Sequence, residues 1–108
     1  MEVNEKDWKL YRSKLPLWQE NYTAGLIKEY ADFMNENKSP SEKFWWLNDR
    51  IKKDKRCPGV LITEDSRSYM LENILGLLSC GAIGLEDLSG FSDELKEQVE
   101  FIFRSIRG

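Results

Sequence analysis

Histidine is absent from this sequence of 108 residues. Its absence excludes serine–histidine and cysteine–histidine nucleophile pairs, histidine proton shuttles and most zinc sites. Cysteine is scarce: Cys57 and Cys80 form no CxxC pair and cannot complete a tetrahedral metal site by themselves. Neither GxxxxGK nor GxGxxG occurs, so no phosphate-binding loop is recognisable. We therefore expect a protein that is not an enzyme and that binds no metal or cofactor.

Long apolar segments are also missing. The longest uncharged run, residues 73–85, contains three glycines, an asparagine and a serine, whereas a membrane-spanning helix needs about 20 mostly apolar residues. The first seven residues are charged where a signal peptide would be apolar. These features predict a soluble, cytoplasmic protein that makes no membrane contact. Two reduced thiols are then the expected state of the cysteines, although the sequence alone leaves a disulfide open.

Apolar residues are nonetheless abundant enough for one core. Hydrophobic residues make up 41% of the chain and aromatic residues 12%, which is too apolar for a disordered chain. A chain of this length fits a single domain. The net charge of −3, from 16 basic and 19 acidic residues, provides no general attraction for nucleic acid or anionic lipid.

Periodic apolar residues and capping signals predict helices through the whole chain. Asn4 is suited to cap a first helix. Pro16 either ends that helix near Lys14 or kinks one longer helix. Gly25 lies in the helical pattern that follows, and a close helix crossing is the expected reason for a residue that disfavours helix. This pattern ends in residues 35–38.

The clearest local signal is Ser39-Pro40-Ser41-Glu42, which combines an N-cap serine, a proline at the first helical position and a glutamate that reaches back to the cap. The elements predicted from here on are a helix to about Lys55, a helix within residues 60–79 that begins at residue 60 or only at residue 63, a left-handed cap at Gly81, one helical turn at residues 85–88 and a last helix capped by Ser92. The total is five or six helices. The predicted fold is an all-α, compact, single-domain bundle.

The Phe-Trp-Trp-Leu run at residues 44–47 is apolar around a whole helical turn. At about 100° per residue, Phe44, Leu47 and Ile51 share one face. Trp45 and Trp46 point roughly 130° from that face, on opposite sides. Burial in the centre of the bundle is the favoured interpretation, because tryptophan in a small domain is usually core. The alternative is that Trp45 or Trp46 reaches the surface and anchors a partner.

A basic cluster follows, with five cationic residues in seven positions: Arg50, Lys52, Lys53, Lys55 and Arg56. We favour a solvated helix C-terminus, where positive charge is stabilising. Binding to nucleic-acid phosphates is the alternative. An acidic segment is able to pair with the cluster within the fold or across a dimer, and its members are Glu86, Asp87, Asp93, Glu94, Glu97 and Glu100.

The last helix carries one aromatic residue outside its inward face. The inward face is predicted from apolar residues at helical spacing, namely Leu95, Val99, Ile102 and Ile106. Phe101 lies roughly 130° from it. Either a second layer of the bundle covers Phe101, or Phe101 joins Trp45 or Trp46 in an exposed patch that marks a contact.

Several short segments form a recognisable set: Glu5-Lys6-Asp7-Trp8-Lys9-Leu10, Leu15-Pro16, Trp18-Gln19-Glu20, Lys43-Phe44-Trp45, Pro58-Gly59-Val60-Leu61 and Phe91-Ser92-Asp93-Glu94-Leu95-Lys96-Glu97. In them the chain resembles a family of small, uncharacterised bacterial proteins of about this length, some of which carry the label "multidrug transporter". The resemblance implies a shared fold over nearly the whole chain and supplies no reactive residue. The transporter label conflicts with the lack of a membrane-spanning segment.

Aromatic residues outside the predicted core stripes, together with the missing catalytic residues, favour an interaction or regulatory module. Its expected partner is a protein, either a second copy or a different chain. The alternative is a nucleic-acid-binding protein that uses the basic cluster.

Overall fold

The computed structural model describes residues 4–107. This part of the chain contains helices and no strand, which confirms the all-α prediction. Its four α-helices are α1 (Glu5–Met34), α2 (Pro40–Asp54), α3 (Met70–Ser79) and α4 (Asp93–Arg107), and two 3-10 turns lie at Arg67–Tyr69 and Leu85–Leu88. Among the described residues, no helix combines the length and the apolar character that crossing a membrane requires.

One helix, α1, spans Pro16, which is the single longer helix of the two predicted alternatives. The prediction of five or six helices is wrong, since the described residues form four α-helices. Asn4 caps it, accepting a hydrogen bond of 2.8 Å from the backbone N–H of Lys6. Leu15 and Trp18, on either side of Pro16, are both buried, whereas Pro16 is exposed. Packing of this face against the core therefore holds the helix together across a residue that removes one backbone hydrogen bond.

The core is built from the first half of α1 together with α3, α4 and the second 3-10 turn. Its buried residues are Tyr11, Leu15, Trp18, Met70, Ile74, Leu77, Leu78, Ile83, Leu88, Phe91, Leu95 and Val99. On α4 the prediction is confirmed for Leu95 and Val99, but Ile106 is 65% exposed. The inward face is wrong at Ile106, which lies beside an open cleft that it shares with the end of α3 and is therefore left uncovered.

The second half of α1 packs antiparallel to α2, and the two form a helical hairpin, as the short connection at residues 35–39 requires. Leu26 is the last buried residue of α1, and Asp54 is the buried residue of α2, whose whole length is described. The radius of gyration is 16.4 Å, against about 13 Å for a compact domain of this length. The prediction of a compact bundle is therefore wrong, because the hairpin adds length without adding to the core.

The turn at Cys57-Pro58-Gly59 fastens this hairpin to the core. Cys57 forms a disulfide with Cys80, which follows α3, so the expectation of two reduced thiols is wrong. The amide of Gln19 on α1 donates a 2.9 Å hydrogen bond to the carbonyl of Pro58. A Cβ at Gly59 would lie 2.7 Å from the ring of Tyr22, so only glycine permits this approach.

Residues 60–66 are not helical, so α3 begins later than either predicted start. The side chain of Asn73 explains the delay, since it donates to the carbonyl of Glu64 at 2.9 Å and to the Tyr11 hydroxyl at 3.2 Å. The Tyr11 hydroxyl in turn donates to Asp65 at 3.1 Å. These bonds hold the segment against α1. The left-handed cap at Gly81, with φ of 82°, is confirmed.

Gly25 does not lie at a helix crossing. A Cβ built at this residue meets no atom within 4 Å, whereas one built at Gly76 would lie 2.8 Å from the ring of Pro58. The crossing prediction is therefore wrong. Gly25 occupies open space on the exposed side of α1, at the edge of a groove described below.

We expect Gly25→Ala to raise the free energy of unfolding by about 1 kcal/mol, because alanine favours helix and meets no obstacle here. Urea denaturation followed by circular dichroism measures the change. Gly76→Ala is the matched control, since it offers the same gain in helix propensity but collides with Pro58. A destabilised Gly25→Ala protein would contradict the open environment of this residue.

Candidate interaction surfaces

The seam between α1 and α2 is aromatic. Trp46 stacks on Phe33 with ring centroids 3.8 Å apart and meets Tyr30 edge-on at 6.1 Å. The guanidinium of Arg50 lies 5.2 Å from the Trp46 ring, within reach of a cation–π interaction. Trp46 is half-buried in this seam. It therefore joins the two helices of the hairpin and is not free to anchor a partner.

A polar network completes the seam at its other end. The hydroxyl of Tyr30 donates to the buried carboxylate of Asp54. Arg50 forms ion pairs with Glu29 at 2.8 Å and with Asp54 at 3.5 Å. Burial, together with the hydrogen bond to Asp54, raises the pKa of Tyr30 to about 12. Arg50 thus neutralises carboxylates within the fold.

The outward side of α2 carries large apolar side chains. Phe44 is 63% exposed, Trp45 60% and Ile51 40%, so the core interpretation is wrong for this side of the helix. Helical geometry places Lys52 and Lys55 within the same arc of about 120°. We call these five residues, Phe44, Trp45, Ile51, Lys52 and Lys55, the outer surface of α2. Phe44 and Trp45 contact each other edge to face at 5.0 Å.

The basic cluster is divided between two sides of the molecule. Lys52 and Lys55 belong to the outer surface of α2, whereas Lys53 and Arg56 line a groove on another side, together with the paired Arg50. All four side chains are exposed. The cluster therefore presents two pairs of cations in different directions, with Arg50 paired internally.

The groove lies between the middle of α1, the end of α2 and the end of α3, and has a volume of about 950 Å³. Gly25 and Leu26 form part of its wall, and the Cys57–Cys80 disulfide lies along it. The sequence does not predict this groove. Its one sign in the sequence is Gly25, a glycine in mid-helix that forms part of the groove wall.

The outward side of α4 carries a single aromatic residue among acidic ones. Phe101 is 74% exposed, so no second layer covers it. Glu94 and Glu97 are exposed and lie within about 40° of Phe101 around the helix. We call these three residues the outer surface of α4. The shallow cleft beside Phe101 is lined by residues of α4 alone, and neither Trp45 nor Trp46 is among them.

Within residues 4–107, no group of three or more cysteine, aspartate or glutamate side chains is placed to hold a metal ion. The sequence did not reveal the seam network, although Trp46, Arg50 and Asp54 follow one another at intervals of four residues, the spacing of one helix face.

Comparison of the chain with protein-family models, characterised proteins and solved structures finds no match.

Proposed function

We propose that this protein is a binding module without catalytic activity, and that it recognises another protein through the outer surface of α2. One observation carries the proposal: α2 contributes no buried apolar side chain to its own fold, yet it exposes Phe44, Trp45 and Ile51. Burial of exposed apolar side chains against a partner lowers the free energy, because it removes them from water. Tryptophan is also enriched among the residues that dominate binding energy.

The seam beneath this surface supports the proposal, because it fixes α2 in place. Trp46 is stacked on Phe33, and Arg50 is paired with Glu29 on α1. A partner that docks on α2 therefore meets a helix that is already positioned. Less conformational entropy is lost on binding to a preorganised surface than to a mobile one.

Site-specific photo-crosslinking in cells tests the proposal. A photoreactive residue at position 45, in place of Trp45, is expected to give a covalent protein adduct. The yield of this adduct is expected to fall in the double variant Phe44→Ser, Ile51→Ser. Leu17 is the matched control position, since it is 65% exposed on α1 and lies outside the outer surface of α2. Equal adducts at Trp45 and Leu17, or none at Trp45, would contradict the proposal.

Nucleic-acid binding through the basic cluster is the second proposal. The exposure of Lys52, Lys53, Lys55 and Arg56 supports it, and the pairing of Arg50 with Glu29 and Asp54 reduces the charge that it offers. The same crosslinking experiment separates the two proposals. An adduct at Trp45 that nuclease digests, and whose yield in cell lysate falls steeply as the salt concentration rises, would favour nucleic acid over protein.

A further inference from the structure

Two oppositely charged surfaces of this fold are left without partners of opposite charge. Lys52 and Lys55 are exposed on α2, and Glu94 and Glu97 are exposed on α4. Among the described residues, the ion pairs that these helices make join Arg50 to Glu29 and Asp54, and Lys96 to Asp93. The pairing between the basic cluster and the acidic segment that the sequence allowed is therefore not made within the fold.

The two surfaces also match in their dimensions. Both α2 and α4 are 15 residues long. On α2, Trp45 precedes Lys52 by seven residues, and on α4, Glu94 precedes Phe101 by seven residues. Each pair spans about 10 Å along its helix and stays within about 20° of one line. The order of aromatic and charged residue is reversed between the helices, so the surfaces match when the helices run antiparallel.

We propose that the partner of the outer surface of α2 is a second copy of this chain, which presents the outer surface of its α4. The proposal rests on the proposed function, which assigns protein binding to α2. With the helices antiparallel, Phe101 of the second copy packs on Phe44 and Trp45. Lys52 then lies level with Glu94 of the second copy and one helical turn from its Glu97.

Each copy offers both surfaces, so two copies related by a two-fold axis would make the contact twice, whereas copies joined head to tail would form a longer assembly. Within the outer surface of α2 the charged residues are Lys52 and Lys55, and within that of α4 they are Glu94 and Glu97. Residues of opposite charge lie beside these surfaces: Glu42 and Asp49 next to Trp45, and Arg104 next to Phe101. Antiparallel packing also sets the positive end of each helix dipole beside the negative end of the other. The pairing thus joins aromatic to aromatic and cation to carboxylate in one register.

A charge-swap experiment tests this register. The first variant carries Lys52→Glu and Lys55→Glu, and the second carries Glu94→Lys and Glu97→Lys. Each variant alone sets like charges against each other at both contacts, so dimerisation is expected to weaken about tenfold or more. In an equimolar mixture, each contact regains opposite charges. Sedimentation equilibrium is expected to show a dimer for the wild type, a monomer for each variant and a dimer for the mixture.

Circular dichroism confirms that both variants are folded before they are compared. Phe101→Ser provides a second test, since it leaves every charge in place and is expected to weaken dimerisation as well. A wild type that stays monomeric at all concentrations would overturn this inference, as would a mixture that stays monomeric while the wild type dimerises. A monomeric wild type with a Trp45 adduct to a different protein would overturn the dimer and keep the proposed function. A monomer without any adduct at Trp45 would overturn both.

Discussion

Loss of the disulfide between Cys57 and Cys80 is expected to lower the free energy of unfolding by about 3 kcal/mol. The bond closes a loop across 23 positions of the sequence. Without it the unfolded chain gains the conformational freedom that the closed loop removed, and the chain-entropy relation for a loop of this size gives the stated value. The effect is large for a single-domain protein, whose total stability is about 5 to 15 kcal/mol.

The position of the bond adds a local consequence. Cys57 follows the end of α2, and Cys80 follows the end of α3, so the bond connects the hairpin to the core. Without it, the contacts of the Pro58 and Gly59 turn with Gln19 and Tyr22 remain as the fastening at this point. Faster amide hydrogen exchange is therefore expected in α2 than in α3.

The double variant Cys57→Ala, Cys80→Ala measures the loss, because it leaves no single thiol that could form other disulfides. Its urea midpoint is compared with that of the wild type with and without reductant. Reductant should destabilise the wild type and leave the double variant unchanged, which makes the variant its own control. A wild type with the same midpoint in the presence and absence of reductant would show that the bond contributes nothing in solution.

Local signals in the sequence predicted local structure well. The caps at Asn4 and Ser39 and the left-handed Gly81 are all confirmed. Each depends on a hydrogen bond or a backbone conformation within a few residues of the signal, so the neighbouring sequence contains all the necessary information. The helix boundaries at these residues were therefore predictable.

Features that depend on distant residues were not predictable in the same way. Helical periodicity showed correctly that Phe44 and Ile51 share a face, but periodicity does not state which face a neighbouring helix covers. Which face is covered depends on the path of α1 beyond Pro16. The packing of Leu15 and Trp18 on the core sets this path. Since α1 continues as one helix, α2 packs along its second half through Trp46, and the outer surface of α2 stays in solvent.

The buried carboxylate of Asp7 was invisible to the sequence analysis for the same reason, since its partner Ser92 is 85 residues away. Asp7 accepts a 2.8 Å hydrogen bond from the backbone N–H of Ser92 and a 2.6 Å bond from its hydroxyl. The same hydroxyl accepts a 3.2 Å bond from the N–H of Leu95, which caps α4. Asp7 thus joins the start of α1 to the start of α4 and orients the capping hydroxyl.

Asp7→Ala is expected to lower the free energy of unfolding by about 3 kcal/mol, because it removes two hydrogen bonds to a buried charge and leaves the N–H of Ser92 without its acceptor. Urea denaturation measures the loss, and Asp93→Ala, at an exposed acidic residue in the first turn of α4, is expected to cost less than about 1 kcal/mol. A double-mutant cycle with Ser92→Ala isolates the Asp7–Ser92 coupling. A coupling energy near zero would contradict the direct link, whereas a large one would show that the two helix starts are joined through this carboxylate.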